Sequence, residues 1–152
     1  MEKVEITTMC AIVKGDQVLM ILREKGWTGW AFPGGHLENN ESIYHCIKRE
    51  IKEEAGLDLK ELYFRGFANF YNPETRTRHI VNNFYCDNFC GNAKNSCDEG
   101  TLKWFHMNEL PNLALAEGME YRFPLFFEDK LQELYVEWTE KKGYIKVEYQ
   151  TI

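Results

Sequence analysis

The stretch "GGHLENNESIYHCIKREIKEEAGL", residues 34 to 57, constrains the fold more than any other part of the chain. A glycine pair leads into a segment of helical period that ends in Glu50, Glu53 and Glu54, with Arg49 beside them. Apolar residues at Ile43, Cys46, Ile47, Ile51 and Ala55 recur in steps of three and four, so one helical face must be buried. Asn40 or Ser42 can cap the start near residue 42, and Gly56 stops the helix after Ala55. Carboxylates at i, i+3 and i+4 share a face and repel one another. Either water screens them, with Lys48, Arg49 and Lys52 as partial counter-charges, or something strongly positive belongs among them. The preceding "FPGGH" favours the second reading. Two glycines let backbone approach another group closely, and clustered oxygen donors beside such a loop suit a hard cation, Mg²⁺ or Mn²⁺.

Around this segment the pattern is of strands. "VEITTMCAIVK" (4–14) and "QVLMILRE" (17–24) flank Gly15 and Asp16 as a hairpin would. The glycines and Pro33 within 26–36 predict a loop. Strands are predicted over 61–71, 78–89 and 100–107, then a turn or short helix at "MNELPNL" and a second helix over 119–131. A terminal hairpin over 134–150 turns at Lys141 to Gly143. Strands interleaved with two helices predict an α/β sandwich with a mixed sheet. No repeat, low-complexity run or linker breaks the chain, so one domain over 1–152 is expected.

A net charge of −6 without a basic stripe opposes a nucleic-acid partner, though not a small anionic substrate brought in by a divalent cation. No apolar run approaches the roughly 20 residues that span a bilayer, and the N-terminus lacks the pattern of a signal peptide. A cytoplasmic location with no membrane partner is therefore expected. The five cysteines are odd in number and irregularly spaced, which argues against a disulfide framework. Cys86, Cys90 and Cys97 lack a paired CxxC, and "FYCDNFC" alternates as a strand, so they read as buried or half-buried thiols rather than ligands. Nothing in the sequence encodes an oligomeric state.

Gly35, five residues, Glu41, seven residues, then "REIKEEAGL" resembles the Nudix hydrolase signature at every defined position: Gly35, Glu41, Arg49, Glu50, Ile51, Glu53, Glu54, Gly56 and Leu57. The resemblance implies a Nudix-type α/β/α sandwich and hydrolysis of a nucleoside diphosphate linked to a further group. It implies that Glu50, Glu53 and Glu54 bind divalent metal, Mg²⁺ or Mn²⁺, helped by the Gly34 carbonyl. Arg49 would orient the glutamates and Glu41 would support the loop–helix junction, with Gly35 and Gly56 as structural positions of the motif. Arginine suits that role because it is permanently charged and can fork two bonds to a carboxylate. Water attacks phosphorus in this chemistry, and a carboxylate must take its proton. Glu53, Glu54 and Glu99, in "SCDEGTLKW", are the candidates, with Glu99 also a possible metal ligand.

"CDEGTLKWFHMNEL" and "AEGMEYRFPLFFEDK" are similar to the MutT-like 8-oxo-dGTP diphosphatases of the family. That likeness implies a purine nucleoside triphosphate, oxidised or not, cut to monophosphate and pyrophosphate. Trp27, Trp30, Phe32, Phe70 and Tyr71 are candidates for stacking on the base. Asn69, Asn82, Asn83, Glu117 and Glu120 are candidates for its edge, and Arg23, His36, Arg76 and Arg78 for the phosphates. His45, His79 and His106 have no nucleophile at a recognisable spacing and are assigned no catalysis. Relatives that read oxidised guanine place an asparagine in the metal loop or beyond it; the aligned loop position here is Ala31, a departure that counts against strict 8-oxo-guanine specificity. Pro73, 16 residues beyond the motif, matches a spacing of ADP-ribose pyrophosphatases, which makes ADP-ribose the alternative substrate. A non-catalytic nucleotide-binding module is the third reading, and the complete set of carboxylates opposes it.

Overall fold

The computed structural model describes residues 1–26 and 28–152; Trp27, one of the stacking candidates, lies outside them. β1 (Lys3–Lys14) and β2 (Gln17–Arg23) are followed by two short strands, β3 (Gly29–Ala31) and β4 (Gly34–His36), and by helix α1 (Ile43–Ala55). Two long strands come next, β5 (Asp58–Asn72) and β6 (Thr77–Cys90), then β7 (Ser96–Cys97), β8 (Gly100–His106) and a 3-10 turn (Met107–Asn112). Helix α2 (Met119–Phe127) leads to the terminal hairpin of β9 (Leu131–Thr139) and β10 (Gly143–Thr151). The strands run in the order β10-β9-β5-β6-β1-β2-β8-β7, with β3 added to β2 and β4 to β1. β1 with β6 and β5 with β9 are parallel and the remaining pairs antiparallel, so the sheet is mixed as expected.

The apolar run of β1 has two faces to fill. Cys10 and Ile12 join a core with Ile47, Ile51 and Ala55 of α1, whereas Met9, Ala11 and Val13 join a second core with Met119, Leu125 and Phe126 of α2. A strand buried on both faces reads as continuous hydrophobicity rather than alternation. One helix on each face gives the α/β/α layering that the motif implied. No helix among the described residues is long and apolar enough to cross a membrane.

The glycine-rich segment differs from its expected loop. β1 and β2 pair only beside their turn, at Val13 with Val18 and Lys14 with Gln17, and the opening between them admits β4 against Thr7–Met9 and β3 against Ile21–Arg23. A side chain at Gly34 would collide with the Thr8 carbonyl, so glycine permits the pairing that its composition seemed to forbid. The second helix stops at Phe127, not residue 131. The Glu128 N–H closes the last turn on the Pro124 carbonyl, and Leu131 is already paired with Thr151 in the sheet. All five cysteines are free. Cys86 is buried and Cys97 half-buried, but Cys90 is exposed, because it ends β6 beyond the edge of the core.

Candidate active site

Helix α1 starts where expected: the Ser42 hydroxyl accepts the His45 N–H at 3.1 Å, and Gly56 closes it at φ 74°. Its register places Arg49 at the centre of an acidic group. Arg49 forks onto Glu41, Nε to Oε2 at 2.6 Å and Nη2 to Oε1 at 3.0 Å. Nη1 donates to Glu50 Oε1 at 3.0 Å and to Glu53 Oε2 at 3.3 Å, and Glu38 stands 3.5 Å away. Nη2 also donates to the His36 carbonyl at 3.1 Å, which ties the end of β4 to the helix. The guanidinium holds the Glu41 carboxyl down at about 2. Glu41 Oε1 accepts the Glu38 N–H as well, so this residue fixes the loop that precedes α1. A side chain at Gly35 would strike the Glu50 carboxyl, which explains a glycine there.

Glu54 has different surroundings. It is 5% exposed, its Oε2 has no hydrogen-bond partner among the described residues, and burial with Glu50 nearby raises its carboxyl to about 8. The backbone of Gly34 donates to it, and Arg23 offsets part of the shift. Burial raises Glu50 too, against the opposing pull of Arg49. One buried carboxyl with an orphaned oxygen and one half-buried carboxyl lie beside the bare backbone of a glycine pair. This donor chemistry fits a hard divalent cation.

The complete ligand set read from the sequence is not brought together. Among the described residues no three His, Cys, Asp or Glu side chains converge on one point. Each outlying carboxylate is drawn to its own arginine: Glu53, 59% exposed, to Arg49, and Glu99 to Arg23 at 3.2 Å. Glu50 and Glu54 are the pair that the fold places together with Gly34.

Two cavities open beside this group. The inner one, about 150 Å³, is lined by Arg23, Phe32, Gly34, Gly35 and His36 together with His79 and Arg122. The outer one, about 210 Å³, shares His79 and Arg122 and adds Phe70, Glu117, Trp138 and Tyr144. Of the substrate-binding candidates, Arg23, Phe32, His36, Phe70 and Glu117 border one or the other. Trp30 borders neither; it packs edge-on against Phe105 at 4.8 Å. Arg78, bonded to Glu2 at 3.0 Å and Asn69 at 2.9 Å and stacked on Tyr71, borders neither of these two but lines a further cavity of about 280 Å³ with Phe70, His79 and Trp138. His36 lends its carbonyl to Arg49, while its ring is 73% exposed.

Residues 4–126 match the family model described as the NUDIX domain. The chain belongs to the Nudix family. Nudix relatives include an uncharacterised hydrolase of Bacillus subtilis, 31% identical over 117 residues, which are 73% of this chain and 72% of that one. The oxidized purine nucleoside triphosphate hydrolase of Mus musculus is 29% identical over 131 residues, 81% of this chain and 80% of the other. The ADP-ribose pyrophosphatase of Methanocaldococcus jannaschii is 33% identical over 105 residues, 68% of this chain and 62% of the other. Among solved structures, a mutator MutT protein of Bacillus halodurans superposes with a TM-score of 0.82 at 27% identity, covering 96% of this chain and 97% of that one. The protein is thus a Nudix pyrophosphohydrolase, and such enzymes generally use divalent cations.

Within this Nudix fold, the outer cavity holds residues that the sequence reading passed over: Arg122, Trp138 and Tyr144, with His79 set aside as non-catalytic. His79 is half-buried, accepts or donates at 2.8 Å with the Thr7 hydroxyl, and is pushed down to about 4 by desolvation, so it is a neutral wall at physiological pH. Arg122 carried a legible signal. It falls in the apolar stripe of α2 with Met119, Leu125 and Phe126, where a charge has no structural reason to be.

Proposed function

We propose that the protein hydrolyses a purine nucleoside triphosphate, oxidised or not, to the monophosphate and pyrophosphate with the help of Mg²⁺. The observation that supports this reading is Glu54: a buried carboxyl with an orphaned oxygen among the described residues, next to Glu50 and to Gly34, which itself lines the inner cavity, and that cavity shares His79 and Arg122 with an aromatic-walled one. Glu50 and Glu54 would hold the cation, with Glu53 and Glu99 able to join from the solvent side. Bound there, a divalent cation screens the phosphate charge and makes water a stronger nucleophile. Arg49 keeps the acidic helix face assembled, so little reorganisation is left for the reaction. Gly34 and Gly35 leave the backbone bare where phosphate oxygens arrive, and Arg23 lines the same cavity. The proton of the attacking water goes to Glu53, whose side chain is largely exposed and whose Oε2 alone meets Arg49 among the described residues. Phe70 and Trp138 offer flat faces to the base.

The mouse relative's printed activity supports an oxidised purine triphosphate. ADP-ribose is the second reading, favoured by the archaeal relative. Pro73 adds little to it, because Asn72 Oδ1 accepts the N–H groups of Glu74 and Thr75, and a proline is what such a turn uses. The deciding experiment is product analysis with Mg²⁺ over 8-oxo-dGTP, the ordinary dNTPs and ADP-ribose. Monophosphate plus pyrophosphate from a purine triphosphate, at the highest kcat/KM, is the expected result. AMP plus ribose phosphate from ADP-ribose as the dominant activity would replace it.

A further inference from the structure

Arg122 and Glu54 are the two charged side chains buried among the described residues. Arg122 is 7% exposed on the sheet-facing side of α2, and among the described residues it makes no ion pair. Nη1 reaches only the Met9 sulfur at 3.8 Å, the guanidinium lies 4.6 Å above the Phe70 ring, and Nε has no partner. A buried cation left like this is destabilising unless something supplies acceptors. It lines both cavities, so an occupant of the cleft meets it.

Three features specify that occupant. The outer cavity is walled by Phe70, Trp138 and Tyr144, which suits a planar ring. Guanidinium offers donors and no acceptor, and stacking on Phe70 leaves its N–H edge to meet a ring edge in plane. Glu117, on the same cavity, offers acceptors and no donor when ionised. A purine with a carbonyl at ring position 6 presents N7 and O6 as neighbouring acceptors, then N1–H as a donor. A purine with an amine there presents an acceptor, a donor and an acceptor, and it opposes Arg122 at position 6 and Glu117 at N1.

We propose that Arg122 is the specificity-determining residue of the cleft, donating to the O6 and N7 edge of a base held along Phe70 and Trp138, so that 6-oxopurine nucleotides are taken over 6-aminopurine ones. This rests on the nucleotide reading above and names the class of base. Among oxidised purines the reading narrows to O6, because 8-oxoguanine keeps that acceptor but carries a hydrogen on N7, whereas an oxidised adenine keeps the amine.

The test is calorimetric binding of inosine monophosphate and adenosine monophosphate, which differ in the group at position 6 and the N1 hydrogen. The full chain is used in EDTA, as wild type, Arg122→Met and Arg122→Lys. Wild type should bind the inosine nucleotide about tenfold or more tightly than the adenosine one. Arg122→Met should bring that ratio close to one by weakening the inosine nucleotide, and it should melt no lower than wild type, because it removes an unpartnered buried charge. Arg122→Lys, which keeps the charge but loses the planar fork, should fall between them and decides the matter if the methionine variant does not fold. Equal binding of the two nucleotides by wild type, or binding of neither, overturns the proposal. So does a variant that weakens both by the same factor, which would assign Arg122 to the phosphate or to packing. Hydrolysis of the triphosphates is measured separately: turnover without discrimination at position 6 sinks this inference alone, and discrimination in binding without turnover sinks the hydrolytic reading alone.

Discussion

Arg49 and Arg122 sit on the two helices that sandwich the sheet, and their surroundings are opposite. Arg49 is partly exposed and meets Glu38, Glu41, Glu50 and Glu53. Arg122 is buried and meets a sulfur and a phenyl ring. At the first, the protein supplies more negative charge than one guanidinium can neutralise, and the excess is left at Glu50 and Glu54. At the second, no carboxylate among the described residues pairs with the guanidinium, although Glu117 lines the same cavity, and the local excess at the ring edge is positive. An enzyme for an anionic, metal-dependent substrate needs the first kind of imbalance where the cation binds. The second kind is useful where an uncharged ring must be recognised by its acceptors.

The largest expected effect comes from breaking the acidic end. Glu50→Gln, or Glu53→Gln, should lower kcat/KM by roughly 10²-fold or more, with the melting temperature nearly unchanged. Steady-state kinetics on the preferred nucleotide check this, and near wild-type turnover would remove the variant position from the cation site. Arg49→Lys is next. It keeps one charge but cannot fork onto Glu41 while reaching Glu50, so kcat should fall by about tenfold and the melting temperature should drop measurably. If activity and stability both survive, the point charge alone holds the face together.

A smaller effect separates Glu54 from the carboxylates that Arg49 controls. Its folded carboxyl, at about 8, lies above the ordinary value of 4.5. The folded state therefore holds that proton more tightly than the unfolded chain does. Its contribution to stability is complete below about pH 4.5 and is lost as pH rises through about 8. In EDTA, Glu54→Gln should match wild type near pH 5 and melt higher than wild type near pH 8.5. Adding Mg²⁺ at pH 8.5 should stabilise wild type and leave the variant little changed. A thermal-melt series over pH with and without the ion reads both arms, and parallel curves for the two proteins would show that Glu54 is not held protonated.

How much of this could be read without coordinates follows from range. The cap at Ser42, the stop at Gly56 and the stripe Cys46, Ile47, Ile51 and Ala55 are local, and the sequence reading had them. The terminal hairpin is local too, and its turn falls where the glycine predicts. The Glu41–Arg49 contact spans only eight residues and lies within the motif. By contrast, β3 and β4 exist because β1 and β2 part beyond their turn and leave both inner edges open to a later segment, and no window of eleven residues contains that fact. The outer cavity joins Phe70, Arg122 and Trp138 from three elements, so it has no sequence spacing at all. Trp30 misled for the same reason: it adjoins the metal loop in sequence, but its ring turns to Phe105 on β8. Trp30→Ala should therefore lower the melting temperature through lost packing and leave KM unchanged.

His36 gives the smallest expected effect and the cleanest separation of backbone from side chain. Its carbonyl belongs to the Arg49 assembly, accepting at 3.1 Å, so the position matters to the acidic end. Its ring is 73% exposed and stands 3.9 Å from Glu5, a distance at which a solvated pair contributes little. Replacing His36 by alanine keeps the carbonyl and removes the ring. kcat/KM should change by no more than about twofold, because the backbone contact to Arg49 survives and exposed pairs of this kind are worth under about 1 kcal/mol. A loss of tenfold or more, carried in KM, would mean that the imidazole swings from solvent onto the substrate phosphates. The acidic end would then recruit a mobile cation of its own, and the division between a self-paired Arg49 and a waiting Arg122 would be less complete than the resting geometry makes it.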